Sequence, residues 1–269
     1  MSTLNAVIVI PARYGSTRFP GKPLAKIGNK TLLQHVCDAA SNAAKHIPGV
    51  ELLVATDDVR IMQHAAEINV AAVMTPIECA TGTDRVIAAI KQLPHKPQFV
   101  INLQGDAPLT PIAVIVALLN ALKTDPIVTP VMQLNWSDLD VLRAAKRTNP
   151  FSGTSAIVNA QNEALWFSKQ IIPAIRSEDK LRNSSPKSPI YQHLGIYGYS
   201  LEALEIFASL PLGHYEQLEG LEQLRLLENG YKIKAVPVVL ENLYAWRGVD
   251  TIEDAQFVEQ ILEQENFTI

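Results

Sequence analysis

The sequence predicts an α/β fold: a mostly parallel sheet flanked by helices. Three observations carry this expectation. Short apolar runs rich in β-branched residues, such as 6–10 (AVIVI) and 98–104 (QFVINLQ), have the continuous hydrophobicity of strands buried on both faces. Segments with apolar residues at helical spacing separate these runs. Strand and helix alternate several times in the first half of the chain, a rhythm that implies parallel strands joined by right-handed crossovers.

The elements follow in order. The opening run ends at Pro11-Ala12. Residues 31–45 carry Leu32, Leu33, His35, Val36 and Ala39 on one helical stripe and stop before Pro48-Gly49. Residues 51–56 (ELLVAT) read as a strand. Residues 57–68 open with Asp57 and Asp58, good helix-starting residues, and read as a helix. A strand at 70–75, a helix at 83–93, a strand at 98–104 and a helix at 111–122 with Pro111 at its start complete this half. After about residue 125 the rhythm loosens. Residues 126–134 read as extended, 137–147 as helical, and 155–169 as two strands around a turn at Gln161-Asn162. The polar, proline-containing stretch 176–189 is expected to be a mobile loop. Residues 192–200 (QHLGIYGYS) read as one Gly-punctuated strand, with Tyr197 and Tyr199 on the same side. Helices at 201–210 and 215–230, the second stopping at Asn229-Gly230, a strand at 231–239 and a helix at 250–264 close the chain.

Composition restricts the function. The 269 residues carry 23 Lys and Arg against 27 Asp and Glu, a net charge of -4, so no global positive field is available for nucleic acid. Cys37 and Cys79 form no CxxC pair, which suits a reducing compartment and supplies no metal framework. No apolar run has the length of a membrane span, and a cytoplasmic location is expected.

Against this acidic background, residues 11–22 (PARYGSTRFPGK) gather Arg13, Arg18 and Lys22 among Gly15, Ser16, Thr17 and Gly21. The segment leaves the first strand at its carboxyl end, where open α/β sheets bind ligands. Glycines let backbone N–H groups approach an anion, hydroxyls add donors, and guanidinium forks match phosphate oxygens. An arbitrary basic loop is more often a solvated surface. Three cations in ten residues after a buried strand favour a polyphosphate site. The segment is neither a GxxxxGK[ST] nor a GxGxxG loop, which argues against a standard ATPase or dinucleotide oxidoreductase. Two carboxylates complete the picture. Asp106 follows the strand at 98–104, and Asp250 stands at a late helix start. Together they could hold Mg²⁺, which takes carboxylate and phosphate oxygens, although Asp250 alone also fits a helix cap.

The segments IPARYGSTRFPGKPL, ATDD, TGTDR, NLQGDAP, QHLGIYGY, LEGLEQLRLLENG and GVDT occur in this order from about residue 6 to about residue 255. Together they resemble the 3-deoxy-manno-octulosonate cytidylyltransferases, the CMP-KDO synthetases of lipopolysaccharide assembly. The resemblance implies a nucleotide-diphospho-sugar transferase (Rossmann-like) fold in one domain. Residues 1–125 or so would bind nucleotide, and about 126–250 would bind sugar and dimerise. It implies a reaction of CTP with a 2-keto-3-deoxy sugar acid, giving a CMP-sugar and pyrophosphate, with Mg²⁺ as cofactor and a homodimer as the assembly. By the same resemblance Arg13, Ser16, Arg18 and Lys22 would hold the triphosphate, bordered by Thr81, Gly82 and Arg85. Asp106 and Asp250 would bind the metal, and Gln104, His193, Tyr197, Glu222 and Gln223 would line the sugar pocket. Arg13, Lys22, Asp106 and Asp250 would carry the catalysis. From the residues alone, His193 reads as a hydrogen-bonded structural residue and Tyr197 and Tyr199 as aromatic core, and Glu222 and Gln223 could be solvent-facing. The chain departs from the family's pattern at Ala107, where Glu is usual, at Ser155, where Lys is usual, and at Gln192, where Arg is usual. The last two substitutions remove charges that could face an acidic sugar. They leave open a variant octulosonate such as an amino-substituted one, a different acidic sugar, or a nucleotide-sugar binding protein with weakened catalysis.

Overall fold

The computed structural model describes residues 4–15, 18–240 and 248–263. In chain order the elements are β1 (Ala6–Ala12), β2 (Lys26–Ile27), β3 (Lys30–Thr31), α1 (Leu32–Lys45), β4 (Val50–Thr56), α2 (Val59–Glu67), β5 (Ala72–Met74), α3 (Gly82–Gln92), β6 (Phe99–Asn102), α4 (Ile112–Ala121), β7 (Ile127–Asn135), α5 (Trp136–Thr148), β8 (Thr154–Val158), β9 (Ala164–Ser168), α6 (Glu178–Ser184), β10 (Lys187–His193), β11 (Tyr197–Ser200), α7 (Leu201–Ser209), α8 (His214–Glu219), α9 (Leu224–Glu228), β12 (Lys234–Pro237) and α10 (Ile252–Glu263). Among the described residues, ten strands form one sheet in the order β5-β4-β1-β6-β11-β7-β10-β8-β9, with β12 pairing β7. The first four of that order run parallel. The neighbours from β6 onward pair antiparallel.

Alternation along β1 builds two cores. Ile8 and Ile10 point to one face, where Leu33, Val36 and Ala40 of α1 meet Val114, Ile115 and Leu118 of α4. Val7 and Val9 point to the other face, against Val86, Ala89 and Ile90 of α3 and toward Tyr199 and Phe207. Each fully buried Val or Leu contributes about 1.5–3 kcal/mol, so β1 is central to both layers. Side-chain caps set the helix starts. Thr31 caps α1, Asp58 caps α2 and Asn135 caps α5, while Thr81 and Asp84 cap α3 reciprocally.

Several segments differ from the sequence expectation. β1 continues through Pro11 and Ala12, which pair with Ala55 and Thr56. The stretch expected as a mobile loop contains α6 and the start of β10. Arg143 from α5 meets Glu178 with a two-pronged contact at 2.8 and 2.7 Å, and Arg182 bonds Asp140. These ion pairs order a segment whose composition reads as a coil. The single strand expected at 192–200 is two, β10 and β11. The chain turns between them at 194–196, where Ile196 O accepts from Thr129 Oγ1 at 2.8 Å. The long helix expected at 215–230 is broken at Gly220, whose φ of +63° ends α8.

Candidate functional site

The strands β1, β4 and β6 point their carboxyl ends at one edge of the sheet, and the cationic loop leaves β1 there. Its hinge is Gly21, whose φ of +70° admits glycine with little strain and whose N–H donates to Tyr14 O at 3.0 Å. A Cβ at Gly21 would lie 3.0 Å from the Tyr14 hydroxyl oxygen. Arg60 lies over the Tyr14 ring, 3.3 Å from its centroid, and Asp58 holds Arg60 with bonds of 2.8 and 2.6 Å. Helix α2 thus braces the loop by cation–π contact. Ser16, expected to hold phosphate, and its neighbour Thr17 lie outside the described residues.

Lys22 follows Gly21 and opens a 3-10 turn. Its Nζ donates to Asp106 Oδ2 at 3.0 Å and to Asp250 Oδ1 at 3.2 Å. Arg18 pairs with the other oxygen of Asp250 at 3.1 Å. Two backbone features bring these residues, 84 and 228 positions from Lys22, to one point. At Gly105 a Cβ would stand 2.5 Å from Pro11 O, so the segment after β6 can lie directly on the end of β1. Asp106 O accepts from Val249 N at 2.7 Å, which aligns the segment containing Asp250. Val249, Ala255, Val258 and Ile261 pack with Ile27, Leu32 and Leu109, anchoring α10. Asp250 does not serve as the helix cap. Thr251 Oγ1 accepts from Asp254 N at 3.2 Å, and Asp254 Oδ2 accepts from Thr251 N at 3.1 Å. That reciprocal cap leaves the Asp250 carboxylate to the cationic cluster.

Arg13, Arg18, Lys22, Thr81, Gly82 and Arg85 line a cleft of about 260 Å³ together with Gln104, Asp106 and Asp250. Arg13 is exposed on its wall. Arg85 is buried and engaged, donating to Asp57 Oδ2 at 2.8 Å and to Thr75 Oγ1 at 2.6 Å. Its guanidinium therefore holds the cleft wall to the end of β4. Thr81, Gly82, Gln104, Asp106 and Asp250 also border a second, larger cavity of about 790 Å³. The carboxylates thus stand at the junction of two compartments.

His193, Tyr197, Glu222 and Gln223 line the larger cavity with Gln104. Thr129 donates to Ile196 O at 2.8 Å. Its one proton is therefore used, and His193 Nε2–H must donate to Thr129 Oγ1, 2.8 Å away. The remaining ring nitrogen, Nδ1, carries an acceptor lone pair. Burial, with Lys169 adding to it, pushes the His193 pKa down to about 3, so the ring is neutral at physiological pH. Tyr197 donates to Gln223 Oε1 at 2.8 Å. Gln223 is fully buried, and its Nε2 has no hydrogen-bond partner among the described residues. Burial raises the Glu222 carboxyl to about 7, with the Thr83 hydrogen bond and Arg225 opposing that rise. Gln223 is therefore inside and Glu222 is partly buried on the cavity wall, which corrects the solvent-facing reading. The turn after Gly220 directs them inward.

The sequence reading missed Lys169, which lines the large cavity and donates to Thr154 Oγ1 at 3.1 Å. It immediately follows the NEALWFS segment, so a basic residue at the end of a cavity-facing strand was the available signal. The structure also revises the two missing charges. Thr154 and His193 face each other across β8 and β10 and line the cavity, whereas their neighbours Ser155 and Gln192, also paired, do not. Strand alternation turns 155 and 192 to the other side, where Ser155 accepts from Ile172 N. Ala107 does border the cavity.

Two carboxylates that share one ammonium, beside arginines and an open cleft, form a hard-oxygen donor set. Magnesium commonly takes one or two carboxylates plus substrate phosphates, and this set fits it.

The family model described as cytidylyltransferase matches residues 7–233. The chain is 42% identical over 266 residues to a 3-deoxy-manno-octulosonate cytidylyltransferase of Maricaulis maris, covering 97% of this chain and 98% of the relative. It is 40% identical over 260 residues to an 8-amino-3,8-dideoxy-manno-octulosonate cytidylyltransferase of Shewanella baltica, covering 96% and 99%. The structure of a CMP:2-keto-3-deoxy-manno-octonic acid synthetase complexed with CTP superposes with a TM-score of 0.82 at 35% identity, covering 98% of this chain and all of the other. A 4-diphosphocytidyl-2C-methyl-D-erythritol synthase from Anaerococcus prevotii shares the fold alone, with a TM-score of 0.59 at 15% identity. The ordered motifs, the shared nucleotide-diphospho-sugar transferase fold and these likenesses lead to one conclusion: the chain belongs to the cytidylyltransferase family, among its octulosonate members.

Proposed function

We propose that this protein transfers the cytidylyl group of CTP to a 3-deoxy-2-keto sugar acid of the octulosonate class, releasing pyrophosphate, for lipopolysaccharide synthesis. One observation carries the reading: Lys22 bridges Asp106 and Asp250 where the cationic cleft opens into the larger cavity. In this reading the anomeric hydroxyl of the sugar acid attacks the α-phosphorus in line with departing pyrophosphate. Both partners are anionic, so the protein's tasks are positioning and charge compensation. Arg13, Arg18 and Lys22 hold the triphosphate, with Thr81 and Gly82 at the start of α3 as the wall. Gln104, His193 Nδ1, Tyr197, Glu222 and Gln223 orient the sugar hydroxyls, and Lys169 faces the cavity as the cation for an acidic substrate. Asp106 and Asp250 would hold Mg²⁺, which when bound offsets phosphate charge and polarises the reacting oxygens.

A pyrophosphate-release assay crossing four nucleoside triphosphates with several sugar acids tests this reading. Release is expected with CTP and KDO or 8-amino-KDO, and loss of release on chelation with EDTA. Absence of release with every keto-deoxy acid would reject the activity. CTP binding without turnover would favour the binding-protein alternative.

The reading extends to a homodimer in a reducing, cytoplasmic compartment. Free Cys37 and Cys79 fit that compartment. Tyr215 of α8 packs edge-on against Trp166 of β9, and Leu165, Leu212, Tyr215 and Leu218 are exposed on these neighbouring segments, which supports a protein-facing surface. Sedimentation equilibrium is expected to give twice the chain mass of 29.5 kDa, and a monomer at all concentrations rejects the assembly.

A further inference from the structure

Behind the sugar-side wall, Asn102, Thr83 and Glu222, one from each of three of the ordered motifs, form a hydrogen-bond chain. Asn102, the last residue of β6, is fully buried, and its Nδ2 donates to Thr83 Oγ1 at 2.9 Å. Thr83, also fully buried, lies one residue beyond Gly82 in the first turn of α3. Its oxygen lies 2.6 Å from Glu222 Oε1. A hydroxyl has one proton, and Asn102 already occupies an acceptor position on this oxygen. With Glu222 ionised Thr83 donates to it, and the short distance is that of a hydroxyl bonded to a carboxylate. The proton order is directional, from β6 through α3 to the carboxylate in the cavity. Asn102 Oδ1 has no partner among the described residues.

We infer that Thr83, fixed by Asn102, is a positioning residue that aims the Glu222 carboxyl at the hydroxyls of the sugar acid. Gly82, its neighbour, borders both compartments, so one helix start sets the nucleotide wall and aims the sugar-side carboxylate. This assignment rests on the proposed octulosonate reading for the identity of the sugar, whereas the coupling between Thr83 and Glu222 does not.

The electrostatics give the expected sign. Burial disfavours the charged form of Glu222, and Asp84 and Glu216 add to that, while the Thr83 hydrogen bond and Arg225 favour it. The Glu222 charge in turn adds to burial in raising the Tyr197 and Tyr199 hydroxyls. With its pKa near 7, the group gains its acceptor form as pH rises through about 7. Sugar kcat/KM should rise over the same range. Removing the hydroxyl shifts both curves to higher pH.

The test compares wild type with Thr83→Val and Thr83→Ser. Nuclear magnetic resonance of protein labelled with ¹³C at glutamate Cδ, with the signal assigned by Glu222→Gln, reads the carboxyl directly without substrate. The midpoint in Thr83→Val is expected to rise by at least about half a unit, and Thr83→Ser to restore it. In steady-state assays at neutral pH, Thr83→Val should raise the sugar KM at least about tenfold, as for loss of one hydrogen bond to a charged group, while the KM for CTP stays within about twofold. An unmoved midpoint overturns the coupling. A shifted midpoint with an unchanged sugar KM, or equal rises in both KM values, overturns the positioning role. If wild-type protein turns over no sugar acid, the functional reading fails, and the resonance titration still decides the coupling.

Discussion

Lys22→Met is expected to lower kcat/KM for cytidylyl transfer by about 10³-fold, the upper range for loss of one preorganised electrostatic group, with the fold retained. The side chain is half-buried at the cleft edge, so its removal opens no cavity in either main core. What it removes is the ammonium shared by Asp106 and Asp250. In its place the two carboxylates face one another with Arg18 on one side only. Arginine at this position does not restore the function, because a planar fork cannot reproduce a compact charge seated between two carboxylates. Steady-state pyrophosphate release, with circular dichroism as the fold control, measures the effect. A loss below about tenfold would remove Lys22 from the reacting centre.

The largest expected loss of stability comes from Arg225→Met. Arg225 bonds Glu216 through Nε at 2.8 Å and Nη2 at 2.6 Å, and both side chains are more than nine-tenths buried. The guanidinium also lies 4.3 Å from the Phe207 ring centroid. Removing one partner of such a pair leaves an uncompensated charge and costs about 3–5 kcal/mol. Urea denaturation at neutral pH should show this loss. The double variant Arg225→Met with Glu216→Leu should recover much of the stability, since it strands neither charge. Equal stability of the single variant and wild type would show that this pair does not hold the wall from Glu216 to Gln223. That wall lines the sugar-side cavity, so a sugar KM above the wild-type value should accompany the stability loss.

Local pattern was sufficient for much of the chain. The parallel half was legible because β1, β4 and β6 are apolar on both faces, and their intervening helices begin at Thr31, Asp58 and Thr81, each a good cap. The second half was less so. α6 is polar and is ordered by ion pairs to α5, a contact between segments that no periodicity reports. The break at Gly220 was visible as a glycine inside a long helical pattern, and such glycines also occur in unbroken helices.

The α/β class, the cationic loop after the first strand and the ordered motifs of the family were readable along the chain, because each depends on residues that are near neighbours in it. Which groups meet at one point depends on the folded chain. The carbonyl of Pro11 lies where a side chain at position 105 would stand, the Thr251–Asp254 cap frees Asp250, and Lys22 then meets two carboxylates from distant segments. The fold likewise decides that Lys169 faces the cavity while positions 155 and 192 do not. Strand register and close backbone approach set those relations, and both act between segments far apart in the chain.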